Sequence, residues 1–206
     1  PNYVDSARFK HDQKFESHKK VAIVGIVPQS KRLDLGVDLI KILNHLDQGW
    51  RLVVKGKTHR DLPFMRGESR KEEYGWFEDI FSLIERDDNL SERVMFEGHS
   101  SIISQWYPEV DYVISVSDWE SFHYSIAEGA AGGCFPFLLN WEGSLDNYPS
   151  EWISGSIEEM ARKMINNEKM GHQEKNEQRE RNFKFIEDRF SVEKIFTKLA
   201  KILLDD

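Results

Sequence analysis

The sequence predicts an α/β domain with helices covering both faces of a central parallel sheet, a three-layer arrangement that rests on three observations. Short β-branched and aromatic runs alternate with segments of helical periodicity; each run ends at Gly or a polar turn; and no internal repeat interrupts the alternation. The 206 residues are 39% hydrophobic and 12% aromatic, which is ample material for one well-buried domain, and 31% charged, which keeps its surface solvated.

The elements follow in order. KVAIVGIV (20–27), RLVVKG (51–56), RVMFEG (93–98), DYVISVS (111–117) and FPFLLN (135–140) read as strands. Between the first two, Leu33, Leu35, Val37, Leu39, Ile40, Ile42 and Leu43 fall at helical spacing and complete a βαβ unit. Residues 72–87 supply a second helix and 101–110 a short third. SIAEGAAGG (125–133) opens a fourth, whose small residues permit close approach to the sheet. After Asn140 the strand signal fades, and 156–165, 174–190 and 191–204 read as helices. The charge run at 174–181 is most simply a solvated helix face.

Composition excludes several function classes. A net charge of -8 argues against nonspecific nucleic-acid binding, which needs clustered cations, so any phosphate-bearing ligand must be held locally. Cys134, the single cysteine, lies in the apolar run GGCFPFLLN and reads as a small buried hydrophobe. No stretch approaches the roughly 18–20 apolar residues of a membrane span, and the opening lacks the features of a secretory peptide, so a cytoplasmic protein is expected. Because the sequence opens at Pro1 rather than Met, a processed or truncated product is expected. The seven histidines show no zinc-ligand spacing, so no metal is expected. No P-loop, no G-x-S-x-G elbow and no G-x-G-x-x-G after the first strand is present, which disfavours an NAD site.

The segment SDWESFHYSIAEGAAGGCFPF carries the chemistry. Glu120 falls just past a strand end and Glu128 within the next helix, where open α/β sheets bind ligands. Carboxylates there suit sugar or ribose hydroxyls, and free N–H groups at a helix N-terminus suit phosphate oxygens. Taken alone, the two glutamates read equally well as solubilising surface charges.

That segment resembles the P-S-x-x-E-[GS]-F-G-x-x-x-x-E-A-x-A-x-G-x-x-P-V signature of the retaining, family-four ("group 1") glycosyltransferases of the GT-B fold. The match lies at Ser117, Glu120, Ser121, Phe122, Glu128, Ala131, Gly133 and Pro136. PNYVDSARF resembles that family's interdomain linker, VGIVPQSKRLDLGVDLI its V-G-R-x-x-x-x-K-x-x-D-x-x-I, RVMFEGHSS its V-x-F-x-G-x-V, and FIEDRFSVEKIFTKLAKIL its closing F-S-W-E helix.

The resemblance implies the Rossmann-like C-terminal, donor-binding half of such an enzyme, with residues 1–18 as linker, 19–206 as the domain, and an N-terminal acceptor domain outside this sequence. It implies transfer of a sugar from a nucleotide-diphosphate donor to a glycan or lipid-linked acceptor, in cell-surface polysaccharide biosynthesis and without a metal. It also implies a peripheral position at the inner membrane face, through the missing domain. Position by position, Lys31 matches the lysine of the donor diphosphate, with Arg32 beside it. Glu120 matches the glutamate facing the donor sugar, and Glu128 the one gripping the ribose, both ionised. The backbone N–H groups of Phe122, His123 and Tyr124 match those near sugar and phosphates. Gly25 matches the glycine under the diphosphate, Gly98 and Ser100 flank the loop bordering the base, and Ser117 opens the motif. Catalysis is assigned to Glu120 and Lys31.

Two positions depart from the pattern. Ile26 stands where the family has an arginine that shares the diphosphate, a task left to Lys31, Arg32 or Lys55. His123 stands where it has a glycine; the ring either contacts phosphate or turns aside to solvent or the missing domain. Trp119 and Trp141 flank the motif and either stack on a ligand or pack. Three readings follow: an enzyme half, a degenerate GT-B module serving as a binding or assembly subunit, or the same fold running sugar-nucleotide epimerisation or phosphorolysis.

Overall fold

The computed structural model describes residues 2–9 and 17–204 and is built on a parallel sheet in the order β3-β2-β1-β4-β5-β6. Its strands are β1 (Lys20–Val24), β2 (Arg51–Lys55), β3 (Val94–Phe96), β4 (Tyr112–Ser115), β5 (Phe135–Leu139) and β6 (Ile153–Ser154). The helices are α1 (Ser6–Phe9), α2 (Leu33–Leu46), α3 (Lys71–Arg86), α4 (Asp88–Ser91), α5 (Tyr124–Ala131), α6 (Ser144–Asn147), α7 (Ile157–Glu168), α8 (His172–Phe190) and α9 (Val192–Leu204). The expected α/β class is therefore the observed one. Of the stretch expected as a linker, Pro1 and residues 10–16 lie outside the described residues.

The strands form where the apolar runs predict because every one of β1, β2, β4 and β5 is buried on both faces, the condition under which parallel strands lose hydrophobic alternation. One face packs Leu33, Val37, Ile40, Phe77, Ile80, Met160 and Met164 of α2, α3 and α7 onto Val21, Ile23, Leu52 and Val54. The other face packs Ile126, Ala127 and Ala130 of α5 and Phe183 and Ile186 of α8 onto Ala22, Val53 and Val113. Cys134 is fully buried there, as expected, and burial pushes its thiol pKa up.

The short helices α1, α4 and α6 were not expected, and two further elements differ from expectation. β6 pairs with β5 at Leu138–Ile153 although no strand was expected past Asn140; two residues are too few to show a periodicity, and a neighbouring strand makes them extended. The short third helix is two successive 3-10 turns, Ile103–Gln105 and Tyr107–Glu109, because Pro108 supplies no N–H for a continuing α-helix. The charge run on α8 is solvent-exposed at Glu174, Asn176, Glu177 and Glu180, but Lys175 is buried beside Glu168 and Arg179 donates to the Gly133 carbonyl at 2.6 Å. Among the described residues no helix is long and apolar enough to cross a membrane.

Candidate functional site

β1 lies between β2 and β4, so chain order reverses direction beside it, and the loops leaving β1 and β4 flank the switch point at which open α/β sheets form their ligand crevice. The two loops are tied together. Asp118 N donates to the Ser30 carbonyl at 2.9 Å, and Arg32 Nη1 donates to Asp118 Oδ1 at 2.7 Å. This tie places Lys31, on a 3-10 turn after β1, against Glu120, in the loop after β4: Lys31 Nζ donates to Glu120 Oε1. His123 Nε2 reaches the same oxygen at 3.2 Å.

The electrostatics of the group follow from its burial. Burial by itself raises the Glu120 pKa, but the His123 ring and the Lys31 ammonium outweigh it and hold the carboxyl well below its usual range. Glu120 is therefore an ionised acceptor. Burial lowers the pKa of His123, an effect that Glu120 only partly offsets. The sequence left His123 either contacting phosphate as a cation or turned to solvent. The ring is 5% exposed and faces Glu120 on one side and Ser125 on the other, so the outward orientation is corrected.

Glu128 lies farther along α5, where Tyr107 donates its hydroxyl at 3.2 Å. Burial raises its pKa, with Tyr107 and the more distant Arg8 opposing. Gly25 takes φ +77° at the end of β1 and donates to the Lys55 carbonyl; Gly56 N in turn donates to the Gly98 carbonyl at 2.9 Å. The ends of β1, β2 and β3 thus form one rim of glycine backbone in which Gly25 and Gly98 have open space on the side a Cβ would fill. Ser100 accepts from Ile102 N at 3.2 Å, and Ser117 is buried beside Ser115. Neither is hydrogen-bonded to the Lys31–Glu120–His123 group among the described residues. The Phe122 ring is buried against Tyr148 and Phe190, and Tyr124 is half exposed. Ile126 and Ala127 N donate to the carbonyl of His123, which caps α5, so the N–H groups of Tyr124 and Ser125 are those the first turn leaves without a helical acceptor.

The three cations named for the diphosphate separate in the structure. Arg32 is engaged by Asp34 and Asp118, and those partners raise its pKa against burial. Lys55 is buried, 3.4 Å from Glu97 and over the Trp106 ring. Lys31 remains at the crevice, and Ile26 faces the core at 1% exposure. Trp141 is buried and Trp119 is exposed. Sequence reasoning missed Ser125, Tyr107, Tyr148 and Asp118. Tyr148 lies 25 positions from His123, whose carbonyl it binds at 3.0 Å, a pairing with no local sequence signal.

No protein-family model matches the sequence, and no curated protein matches it. Solved structures do share its fold. HepE from Anabaena, in complex with UDP-glucose, superposes with a TM-score of 0.76 at 18% identity, over 99% of this chain and 56% of HepE. The C-terminal domain of the glycosyl transferase group 1 family protein LpcC from Francisella tularensis gives 0.63 at 16% identity, over 92% of this chain and 99% of that domain. The chain has the fold of the C-terminal half of a GT-B glycosyltransferase. TarM from S. aureus gives 0.67 at 18% identity, over 93% of this chain and 36% of TarM. The chain thus spans about half of HepE and about a third of TarM. At these identities the likeness carries the GT-B fold.

Proposed function

We propose that the chain is the donor-binding part of a retaining, group 1 glycosyltransferase that transfers a sugar from a nucleotide-diphosphate donor to a glycan or lipid-linked acceptor, in cell-surface polysaccharide biosynthesis. The observation that carries this reading is the meeting of Lys31, Glu120 and the α5 N-terminus at the point where the sheet reverses. HepE, which shares the fold, was solved with UDP-glucose.

In this reading the diphosphate lies over the Gly25 backbone and the first N–H groups of α5, with Lys31 as its cation. Glu120 accepts hydroxyls of the donor sugar and Glu128 those of the ribose. Catalysis comes from stabilising the departing nucleotide, and the chemistry uses no metal. The acceptor cleft belongs to a preceding domain joined through residues 1–18, which also brings the cytoplasmic protein to the inner membrane face. Ile26, buried where the resembled pattern has an arginine, gives this place one cation fewer and favours a second reading, a degenerate GT-B module that assembles with a partner.

Calorimetric titration of the chain with UDP-, GDP- and ADP-sugars tests the donor reading. Binding of one class in the micromolar range is expected, and no binding across the panel would overturn it. Affinity is expected to fall on acidification from a pH above the ordinary glutamate range, because Glu128, with its raised pKa, there loses the charge that makes it a strong acceptor of hydroxyls. A Glu128→Gln chain that keeps the same acid limb would remove Glu128 from that role.

A further inference from the structure

We propose that His123 is a positioning residue: an imidazole, anchored by Ser125, that holds the Glu120 carboxylate in place while Lys31 leaves it for the donor diphosphate. This rests on the donor-binding reading of the crevice and adds the device that lets one lysine serve there.

The ring is held from both sides. An ionised carboxylate only accepts, so His123 Nε2 must carry the proton in the 3.2 Å contact with Glu120. His123 Nδ1 lies 2.8 Å from the Ser125 hydroxyl, which donates to a neutral ring and accepts from a protonated one, so Ser125 anchors the ring in either state. The backbone is held as well, because Tyr148 donates to the His123 carbonyl at 3.0 Å. Ser125, Tyr148 and His123 are all buried.

Lys31 is placed differently. Its side chain is 24% exposed, against 6% for that of His123, and it sits on a three-residue turn followed by Arg32 in the left-handed region at φ +55°. Of the two donors on Glu120 Oε1, Lys31 is the one free to move. A diphosphate that drew Lys31 away from an otherwise unpaired carboxylate would leave a half-buried negative charge facing the incoming phosphates. With His123 in place, Glu120 keeps a donor and its direction. The glycine that the resembled signature carries at this position has no side chain with which to do this.

Two measurements test the proposal. In the ligand-free chain, the Glu120 carboxyl followed by carbon NMR is expected to stay below the ordinary carboxylate range in Lys31→Ala and to move up by about one pH unit in His123→Phe, the scale of one lost charge-assisted hydrogen bond. An unmoved Glu120 titration in a folded His123→Phe overturns the proposal whether or not any donor binds. In calorimetric titration, His123→Phe is expected to weaken UDP-glucose about tenfold more than UDP, the worth of one such bond. His123→Gln, whose amide N–H replaces Nε2, is expected to restore the ratio. Equal weakening of both ligands assigns His123 a structural role only and overturns the proposal. A wild-type chain that binds neither ligand overturns the donor reading, while the carboxyl titration still decides whether His123 holds Glu120.

Discussion

Lys31→Ala is expected to weaken binding of UDP and its sugars by roughly 10- to 100-fold, the worth of one charge-assisted contact at about 1.5–3 kcal/mol. The upper end is favoured for two reasons. Arg32 and Lys55 are committed to Asp34, Asp118 and Glu97, so neither is placed to replace the lost charge. The substitution also leaves Glu120 ionised beside the diphosphate, turning an attraction into a repulsion. Lys31→Ala with Glu120→Gln is therefore expected to recover part of the affinity for UDP, although not for the sugar. Calorimetry on the single and double variants measures both effects. An unchanged UDP affinity in Lys31→Ala would remove this lysine from the diphosphate.

How far the site was legible depends on how local its geometry is. Glu120 and Glu128 could be placed relative to a strand end and the following helix because both lie on one strand-to-helix connection. The Lys31–Glu120 pair spans 89 residues, and only the family resemblance suggested that the two act at one place. The orientation of His123 was not legible, because it depends on Ser125 at short range and on Tyr148, which reaches the site after β5 has crossed the sheet. Most of the fold was plain in the sequence, since strands buried on both faces read as continuous apolar runs. β6 was not, because its pairing with β5 rather than its composition makes it a strand.

The same dependence on neighbours sets opposite signs for two helical glycines. Gly129, on α5, faces β4 so closely that an added Cβ would lie 2.5 Å from Val113 Cγ1 and 2.9 Å from its Cβ. Val113 is fully buried in the middle of the sheet and has nowhere to move. Gly75, in the interior of α3, has nothing within 4 Å of that position. Replacing an exposed helical glycine gains about 0.5–1 kcal/mol from backbone entropy alone, so Gly75→Ala is expected to stabilise the chain by that amount. Gly129→Val makes only a smaller gain of that kind and must force α5 off the sheet. Overpacking costs typically about 1–3 kcal/mol, and contacts this short on a buried strand put the loss at the top of that range or above. The strain reaches the crevice, because α5 carries Glu128 and presents its N-terminus beside Glu120. Gly129→Val is therefore expected to lose donor affinity together with stability, and Val113→Ala, by clearing the space, is expected to restore part of both. Urea unfolding of the four chains decides the matter: a Gly129→Val chain as stable as wild type would show that α5 does not need glycine to reach β4.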